Sequence, residues 1–337
     1  MAPKIFATGA TGFIGGTALD TIIKAHPEYE ITALVRDKAK AEKVKAQFPN
    51  VRIAFGDLDS ADVIKEECSK VDIVLHFADC DHVPSANAIT SALAANPKQT
   101  FLIHTSGSAI LPDVSKPELF GTPVTEEESY NDVTDIEKIT TWPIDGHLHR
   151  DVDVVVIQGT PEHVKTAVVC PCTIYGQGTG PVNRQSLQVP QLTLETLKRG
   201  KGFTVNGGKN TWNQVHVRDL ADLYLKLTEA AAKGGEGADW NEQGYYFAEN
   251  GEFLWGDIAA LIAKKAKARG LIKTDELDHL SHEEVIKFKP FGAIAWGTNS
   301  KGTAQRARER LGWKPTREPI EDTIDAVLDD QAKVLGL

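Results

Sequence analysis

The sequence is poor in cysteine, with four such residues among 337, and none of them forms a CxxC pair. The Cys170-Pro171-Cys172 triplet has no histidine or second cysteine pair nearby that would complete a zinc tetrahedron. We therefore predict no metal site, and thiols that stay reduced, as expected in a cytoplasmic protein.

An excess of positive charge and long hydrophobic runs are also missing. The 37 lysine and arginine residues against 47 acidic residues give a formal net charge of -10, which would repel a nucleic-acid backbone. No run of eighteen apolar residues is present, so we predict no membrane span. An apolar strand follows the first residues too closely for a cleavable leader, which favours a cytoplasmic location. With 41% hydrophobic residues the composition is typical of a folded protein, and the expected partner is a small molecule.

In the first half, short β-rich runs alternate with helical patterns. Strands are predicted at KIFATG, YEITALVR, VRIAFGD, VDIVLHFAD, QTFLIHTSG and KTAVVCPCTIYG. This order predicts an α/β fold with a Rossmann-type doubly wound parallel sheet, whose ligands bind beyond the carboxyl ends of the strands. We predict a first domain over residues 1–177 and a smaller substrate-binding lid region over 178–337, with segments 213–232 and 244–248 returning to the first domain.

The stretch TGATGFIGG, from Thr8 to Gly16, places Gly9, Gly12 and Gly15 at three-residue spacing after the first strand. Glycine at this point allows a tight turn with positive φ, and it lets backbone N–H groups and a helix N-terminus approach a pyrophosphate. Because the loop lies between a strand and an apolar helix, it predicts a dinucleotide site.

Further segments in the same order resemble the extended short-chain dehydrogenase/reductase superfamily, in particular its NAD-dependent epimerase/dehydratase-like members. They are GDLDS (residues 56–60), LHFAD (75–79), CPCTIYGQGTGP, VHVRDLADLY and RLGWKP, and the resemblance spans nearly the whole chain. It implies a possible homodimer that pairs through two helices of the cofactor domain. It also implies a cofactor site made by Gly9, Thr11, Gly12, Phe13, Ile14, Gly15, Asp57, Leu58, Ala78, Asp79, Thr105 and Pro171.

The end of the second strand distinguishes NAD from NADP, because a carboxylate there would repel a 2′-phosphate. This chain carries Arg36 in LVRD, which is similar to the cofactor site of dihydroflavonol reductases, where the arginine faces the phosphate. We therefore predict NADP, with NAD possible. In the alternative, Arg36 is merely solvated and Asp37 meets the ribose.

The superfamily's proton donor, a tyrosine four residues before a lysine, is missing, because no tyrosine of this chain is followed by lysine at that spacing. If Asp153 takes the place of the acidic residue one turn beyond the lysine, Asp145 and His149 fall at the tyrosine and lysine positions. His149, or else His147, could donate a proton, since imidazole titrates near neutrality, but both could equally be surface residues.

The fifth strand ends in HTSGSAI, which resembles the segment whose serine binds the substrate carbonyl in this superfamily. Ser106 or Ser108 could take that role, or Gly107 could occupy the serine's position. Either hydroxyl could instead satisfy a turn.

The lid region bears on the substrate. Trp212 stands where nucleotide-sugar epimerases of the superfamily carry a diphosphate-binding arginine, and an indole cannot replace a bidentate fork. In the alternative, Trp212 packs in the lid core and another cation binds the diphosphate. The resemblance also places Tyr175 in the nicotinamide pocket wall, and Asn183, Arg184 and Gln185 follow at the predicted cleft.

The leading hypothesis is an atypical NADP(H)-dependent oxidoreductase that acts on a small carbonyl or alcohol other than a nucleotide sugar. The missing tyrosine–lysine pair also allows a redox-silent NADP-binding sensor, or a non-redox isomerase or lyase on the same scaffold.

Overall fold

The computed structural model describes residues 2–337 and has a parallel sheet at its centre. The strands are β1 (Lys4–Thr8), β2 (Glu30–Val35), β3 (Arg52–Phe55), β4 (Ile73–His76), β5 (Thr100–Thr105), β6 (Ser129–Asn131), β7 (Val164–Pro171), β8 (Thr173–Tyr175), β9 (Gly202–Val205), β10 (Thr211–His216), β11 (Tyr245–Ala248), β12 (Glu252–Leu254), β13 (Leu277–Leu280) and β14 (Lys301–Thr303). The helices are α1 (Phe13–Ala25), α2 (Lys38–Gln47), α3 (Ala61–Cys68), α4 (Val83–Ala94), α5 (Ile136–Thr141), α6 (Arg150–Gln158), α7 (Gln188–Arg199), α8 (Val217–Ala232), α9 (Trp255–Ala268), α10 (His282–Phe288), α11 (Gly292–Gly297), α12 (Gln305–Leu311) and α13 (Ile324–Leu335).

Within the described chain, the central sheet has seven strands in the order β11-β7-β5-β4-β1-β2-β3, and all of its pairings are parallel. The chain first builds outward from β1 through β2 to β3 and then crosses back to β4, so the strand order reverses between β1 and β4. The prediction of a Rossmann-type doubly wound sheet is confirmed. Such a reversal opens a crevice at the carboxyl ends of the strands, where ligands of these folds bind.

Helices cover both faces of the central strands, which explains their nearly continuous apolar sequences. Every residue of β4 and of β5 is buried. The few polar residues in these two strands, such as His76 and His104, are therefore enclosed within the sheet.

The register brings three loops to one edge of the sheet. Thr8 pairs with His76, and His76 pairs with His104. As a result, the glycine loop after β1 lies beside the residues that follow β4, and those lie beside the residues that follow β5.

A second hydrophobic core lies in the C-terminal half and gathers residues of α7, α9 and α13, together with Trp212 and Tyr175. The chain also returns to the central sheet at β11, and α8 packs against α1. The predicted strand KTAVVCPCTIYG is divided at Cys172 into β7 and β8, because β8 pairs with β10 in a separate three-stranded sheet. The boundary at residue 177 stays a prediction. Among residues 2–337, no helix is long and apolar enough to cross a bilayer.

Candidate active site

The glycine loop follows β1, and two of its glycines cannot carry a side chain. Gly9 has φ +74°, and a Cβ on it would lie 2.7 Å from the backbone nitrogen of Ala78. A Cβ on Gly15 would lie 2.4 Å from the carbonyl oxygen of Gly9. The loop is therefore folded against the end of β4 and against the first turn of α1, which brings its backbone to the reversal point of the sheet.

The N-terminus of α1 is open toward this loop. Gly12 is its N-cap, so no side chain satisfies the first N–H groups, and the first turn holds no acidic residue. Free N–H groups and the positive end of the helix dipole form a binding site for an anion. The loop and helix together can therefore hold the diphosphate of a dinucleotide.

A cavity of about 400 Å³ lies beside the loop and extends across the ends of β2 and β3. Its volume is in the range of small-molecule sites. Most of the residues that line it belong to the segments predicted to bind the cofactor. They are Thr8, Gly9, Thr11, Leu34, Val35, Arg36, Lys40, Gly56, Asp57, Leu58, Asp59, Ala78, Asp79 and His82.

Two cations face this cavity near the end of β2. Arg36 is exposed, and Lys40 lies one turn into α2. The Asp37 carboxylate is the N-cap of α2 and accepts a hydrogen bond from the backbone N–H of Lys40 at 2.7 Å. Lys40 was not among the predicted residues, although its place one turn after Arg36 in a helical pattern was the available signal.

A second cluster lies where the loop after β4 meets the start of α6. His149 Nδ1 lies 2.6 Å from Asp81 Oδ1 and 3.3 Å from Cys80 Sγ. His149 has φ 66°, in the left-handed region, where a residue other than glycine costs about 1 kcal/mol or more. The contacts with Cys80 and Asp81 hold the imidazole in this conformation.

The charges of this cluster favour a protonated imidazole. Burial of the ring lowers its pKa, but the Asp81 carboxylate and Cys80 more than offset this effect, and the pKa of His149 is raised to about 10. The imidazole therefore carries a positive charge at neutral pH. Cys80 and Asp81 were not among the predicted residues; their place in the loop after the carboxyl end of β4 was the available signal.

The ligand atoms of Cys80, Asp81 and His149 lie within 4.8 Å of one another, a spacing that raises the question of a metal ion. Two ligands about 2.1 Å from a tetrahedral zinc ion would be about 3.4 Å apart. The 2.6 Å contact between Asp81 and His149 is shorter and matches a charge-assisted hydrogen bond. We therefore interpret the cluster as an ion pair with a thiol beside it.

Gly107, after β5, lies against the other nitrogen of this imidazole. A Cβ on Gly107 would lie 3.0 Å from His149 Nε2. Gly107 is one of the three residues predicted for the position of the superfamily's substrate-binding serine. A side chain at Gly107 would meet the Nε2 edge of His149.

Beneath the cluster, buried polar groups connect β4, β5, α6 and β11. His76 Nδ1 lies 2.8 Å from His104 Nδ1, and His104 Nε2 lies 3.8 Å from Asp153 Oδ1. Asp153 accepts hydrogen bonds from Ser106 Oγ at 3.0 Å and Tyr245 OH at 2.9 Å. Burial raises the pKa of Asp153 to about 6. These bonds fix the first turns of α6 and therefore the position of His149.

Three predicted side chains at the end of β5 form hydrogen bonds with other side chains of the protein. The Ser106 hydroxyl is held by Asp153, the Ser108 hydroxyl lies 2.8 Å from Ser300 Oγ, and the Thr105 hydroxyl lies 2.6 Å from Tyr224 OH. All three residues are buried. In this structure all three hydroxyls are engaged by other side chains, and a role of Ser106 or Ser108 in binding the substrate carbonyl stays a prediction.

Two predicted substrate residues are enclosed in the second core. Tyr175 is 1% exposed and donates to the carbonyl of Glu318, and Trp212 is 4% exposed and donates to the carbonyl of Thr298. The role of Tyr175 in the wall of the nicotinamide pocket stays a prediction, and Trp212 is packed in the second core, as in the alternative given for it.

The other predicted residues fall in several places, and some of them lie near the glycine loop. Asn183, Arg184 and Gln185 are exposed, and the backbone N–H of Asn183 donates to Thr11 O. Phe13 and Ile14 begin α1, whereas Pro171 is buried and pairs with Ala248 in the sheet. His147, the alternative donor, stacks on Trp142, and its Nδ1 lies 2.7 Å from Ile110 O.

Comparisons with known proteins agree with this geometry. Residues 9–134 match a family described as NAD(P)H-binding. Across 100% of both chains, the protein is 36% identical to a protein of Acremonium sp named Oxidase ucsJ.

Solved structures with a similar fold have low sequence identity. One is a UDP-glucose 4-epimerase from Thermotoga maritima, with a TM-score of 0.65 and 17% identity over 98% of this chain and 99% of that chain. Another is a dTDP-glucose 4,6-dehydratase from Bacillus anthracis in complex with NAD, with a TM-score of 0.64 and 16% identity over 98% of this chain and 97% of that chain. At this identity the likeness shows the fold.

Proposed function

The chain belongs to the NAD(P)-binding extended short-chain dehydrogenase/reductase superfamily, and we propose that it is an NADP(H)-dependent oxidoreductase of small carbonyl or alcohol compounds. The observation that carries the proposal is the His149 imidazolium beside Gly107, at the sheet edge that also holds the dinucleotide cavity. This histidine supplies the acidic proton for which the superfamily uses tyrosine.

The residues of the cavity fit NADP. The loop backbone at Gly9 and Gly12, with the open N-terminus of α1, would hold the diphosphate. Arg36 and Lys40 would hold the 2′-phosphate, because two cations face the cavity there while the nearby Asp37 carboxylate is turned into its helix cap.

When bound, the reduced cofactor supplies a hydride to the carbonyl carbon. The chain's own task is to supply a proton to the carbonyl oxygen. His149 Nε2 is placed for this step, since its Nδ1 is held by Asp81 and no hydrogen bond from the described residues engages Nε2. In the direction of alcohol oxidation, the neutral imidazole takes the proton back.

The substrate we propose is not a nucleotide sugar. Trp212 stands at the position of the diphosphate-binding arginine. Its indole is uncharged and lies in the second core, and therefore it cannot bind a diphosphate in the cleft. A small carbonyl compound needs no such cation. The name of the Acremonium relative, an oxidase, supports redox chemistry on this scaffold.

Turnover of NADPH with a panel of aldehydes, ketones and quinones, followed by nicotinamide absorbance, tests the proposal. We expect oxidation with at least one class, and a loss of about 100-fold or more in kcat for His149→Gln, because general acid catalysis contributes this much. The matched control is His147→Gln, which removes a neighbouring imidazole and leaves the cluster intact. Equal turnover by both variants would exclude His149 as the donor.

The missing tyrosine–lysine pair also favours a second candidate, in which the protein binds NADP and acts as a sensor or as a non-redox isomerase or lyase. Tight binding of NADPH without oxidation by any compound of the panel would support this candidate. Failure to bind either coenzyme would contradict both.

A further inference from the structure

We propose that Cys80 is a nucleophile that captures aldehydes covalently, with His149 as its acid–base partner. The proposal rests on the proposed function only in that the aldehyde enters the same cleft. It assigns a substrate class, aldehydes, and a covalent step that needs no cofactor.

The position of Cys80 supports this assignment. Asp79 lines the dinucleotide cavity, Cys80 is the next residue, and its Sγ lies 3.3 Å from the imidazole that reaches Gly107. The thiol therefore lies one residue from the cavity lining and beside the imidazole that donates the proton in the proposed function.

Exposure separates Cys80 from the other cysteines. Cys68, Cys170 and Cys172 are buried, whereas Cys80 is partly exposed. Burial raises the pKa of each of the three enclosed thiols, so they remain protonated and inert. A reagent in solution can therefore distinguish Cys80 from the rest of the chain.

The His149 imidazolium lies beside Cys80 and stabilises the negative charge that develops on the sulfur as it attacks a carbonyl, which is a usual way in which proteins activate cysteine. The Asp81 carboxylate opposes a second negative charge but also holds the imidazolium in place.

Other titratable groups near this pair are Tyr224 of α8, Cys170 of β7, His104 of β5, Asp153 of α6 and the neighbouring Asp79. Burial keeps Tyr224 and Cys170 neutral and lowers the pKa of His104 well below its ordinary value, so that this imidazole is uncharged. Burial raises the pKa of Asp153 to about 6, so that this carboxyl is partly charged at the pH of the experiment.

The covalent step needs only Cys80, His149 and the aldehyde, and it consumes no oxidant or reductant. The Cys80 thiolate adds to the aldehyde carbon and forms a C–S bond, while the C=O π bond becomes an alkoxide. The His149 imidazolium donates its proton to that oxygen, which yields a neutral hemithioacetal and a neutral imidazole. The reverse sequence releases the aldehyde.

Alkylation of the full chain by iodoacetamide, without cofactor and with peptide mass mapping, tests the proposal. At pH 6.5 we expect Cys80 to react about tenfold faster than glutathione, because the adjacent imidazolium stabilises the charge on the attacking sulfur. We expect hexanal but not hexan-1-ol to protect Cys80.

His149→Gln should slow alkylation of Cys80 about tenfold at pH 6.5, because it removes the positive charge beside the sulfur. His147→Gln should react as the parent does. Cys80 reacting no faster than glutathione in the parent, or hexanal giving no protection, would overturn the proposal whether or not the variants fold. Since the reaction contains no coenzyme, its failure would leave the binding of NADPH, measured separately by titration, unaffected.

Discussion

At the scale of single residues, Arg36 is expected to set the coenzyme preference. Arg36→Ala should weaken binding of NADPH by roughly one to two decades, because a charge-assisted contact with phosphate contributes about 1.5–3 kcal/mol. NADH, which lacks the 2′-phosphate, should bind the variant and the parent alike. Titration of both coenzymes measures the effect, and Lys43→Ala, an exposed lysine of α2 that does not line the cavity, is the control. Equal affinity of the parent for both coenzymes would contradict the phosphate assignment.

Asp81 is expected to control the pH dependence of turnover. In carbonyl reduction the active form of His149 is the imidazolium, so activity should persist up to alkaline pH and fall as the pH approaches about 10. Asp81→Asn removes the charge that raises this pKa, and the alkaline limb should move toward the ordinary value of 6.5.

The pH profile of kcat/KM measures this shift. Asp145→Asn is the control, since Asp145 is an exposed acid of the segment before α6. Superimposable alkaline limbs in the parent and in Asp81→Asn would show that another group donates the proton.

At the scale of elements, the start of α2 distinguishes the two interpretations of coenzyme choice. Asp37→Ala removes the N-cap and should lower the free energy of unfolding by about 1 kcal/mol. Because the carboxylate is used in the cap, the ratio of NADPH to NADH affinity should stay unchanged. Urea unfolding and coenzyme titration measure the two effects.

Asp37→Asn, which keeps a capping oxygen, serves as the matched control for stability. A selective loss of NADH affinity in either variant would favour the alternative in which Asp37 binds the ribose hydroxyls.

At the scale of the whole molecule, the buried histidine pair is expected to limit stability in acid. Burial lowers the pKa of His76 to about 4 and that of His104 well below its ordinary value. In the unfolded chain both histidines take up a proton near pH 6.5, whereas in the folded protein they do so only at lower pH. The full free energy of unfolding is therefore present above pH 6.5, and it decreases as the pH falls toward 4. On the order of 2 kcal/mol should be lost between pH 6.5 and pH 5.

Urea unfolding at pH 7 and pH 5 measures this loss, with the double variant His76→Leu, His104→Leu as the comparison. Buried Asp153 and Asp132 have raised pKa values and act in the opposite direction, so the informative quantity is the difference between parent and variant. An equal change in both proteins would show that the histidine pair is not responsible.

Much of the fold follows from local patterns. The alternation of apolar strands and helices predicts β1 to β5 and β7, and the glycine spacing predicts the loop, because hydrophobic periodicity and backbone freedom act over a few neighbouring residues. β11 is separated from its partner β7 by more than seventy residues, and no local pattern shows which strand it pairs with.

Side-chain environments depended on packing between distant elements. The hydroxyls of Ser106 and Ser108 and the indole of Trp212 are polar or amphipathic groups that a sequence places equally well in a cleft or in a core. Their burial was decided by partners such as Asp153, Ser300 and Thr298.

The sequence by itself determined that this protein has a doubly wound sheet with a dinucleotide loop, since both are encoded in short, regular patterns. Only the tertiary structure decided which groups surround the reacting position. Cys80 and His149 are 69 residues apart and meet because α6 packs against α4, the helix that follows the loop after β4. The charge of His149 follows from its contacts with Asp81 and then Cys80 in that loop, because electrostatic stabilisation depends on distance in space and not on spacing along the chain.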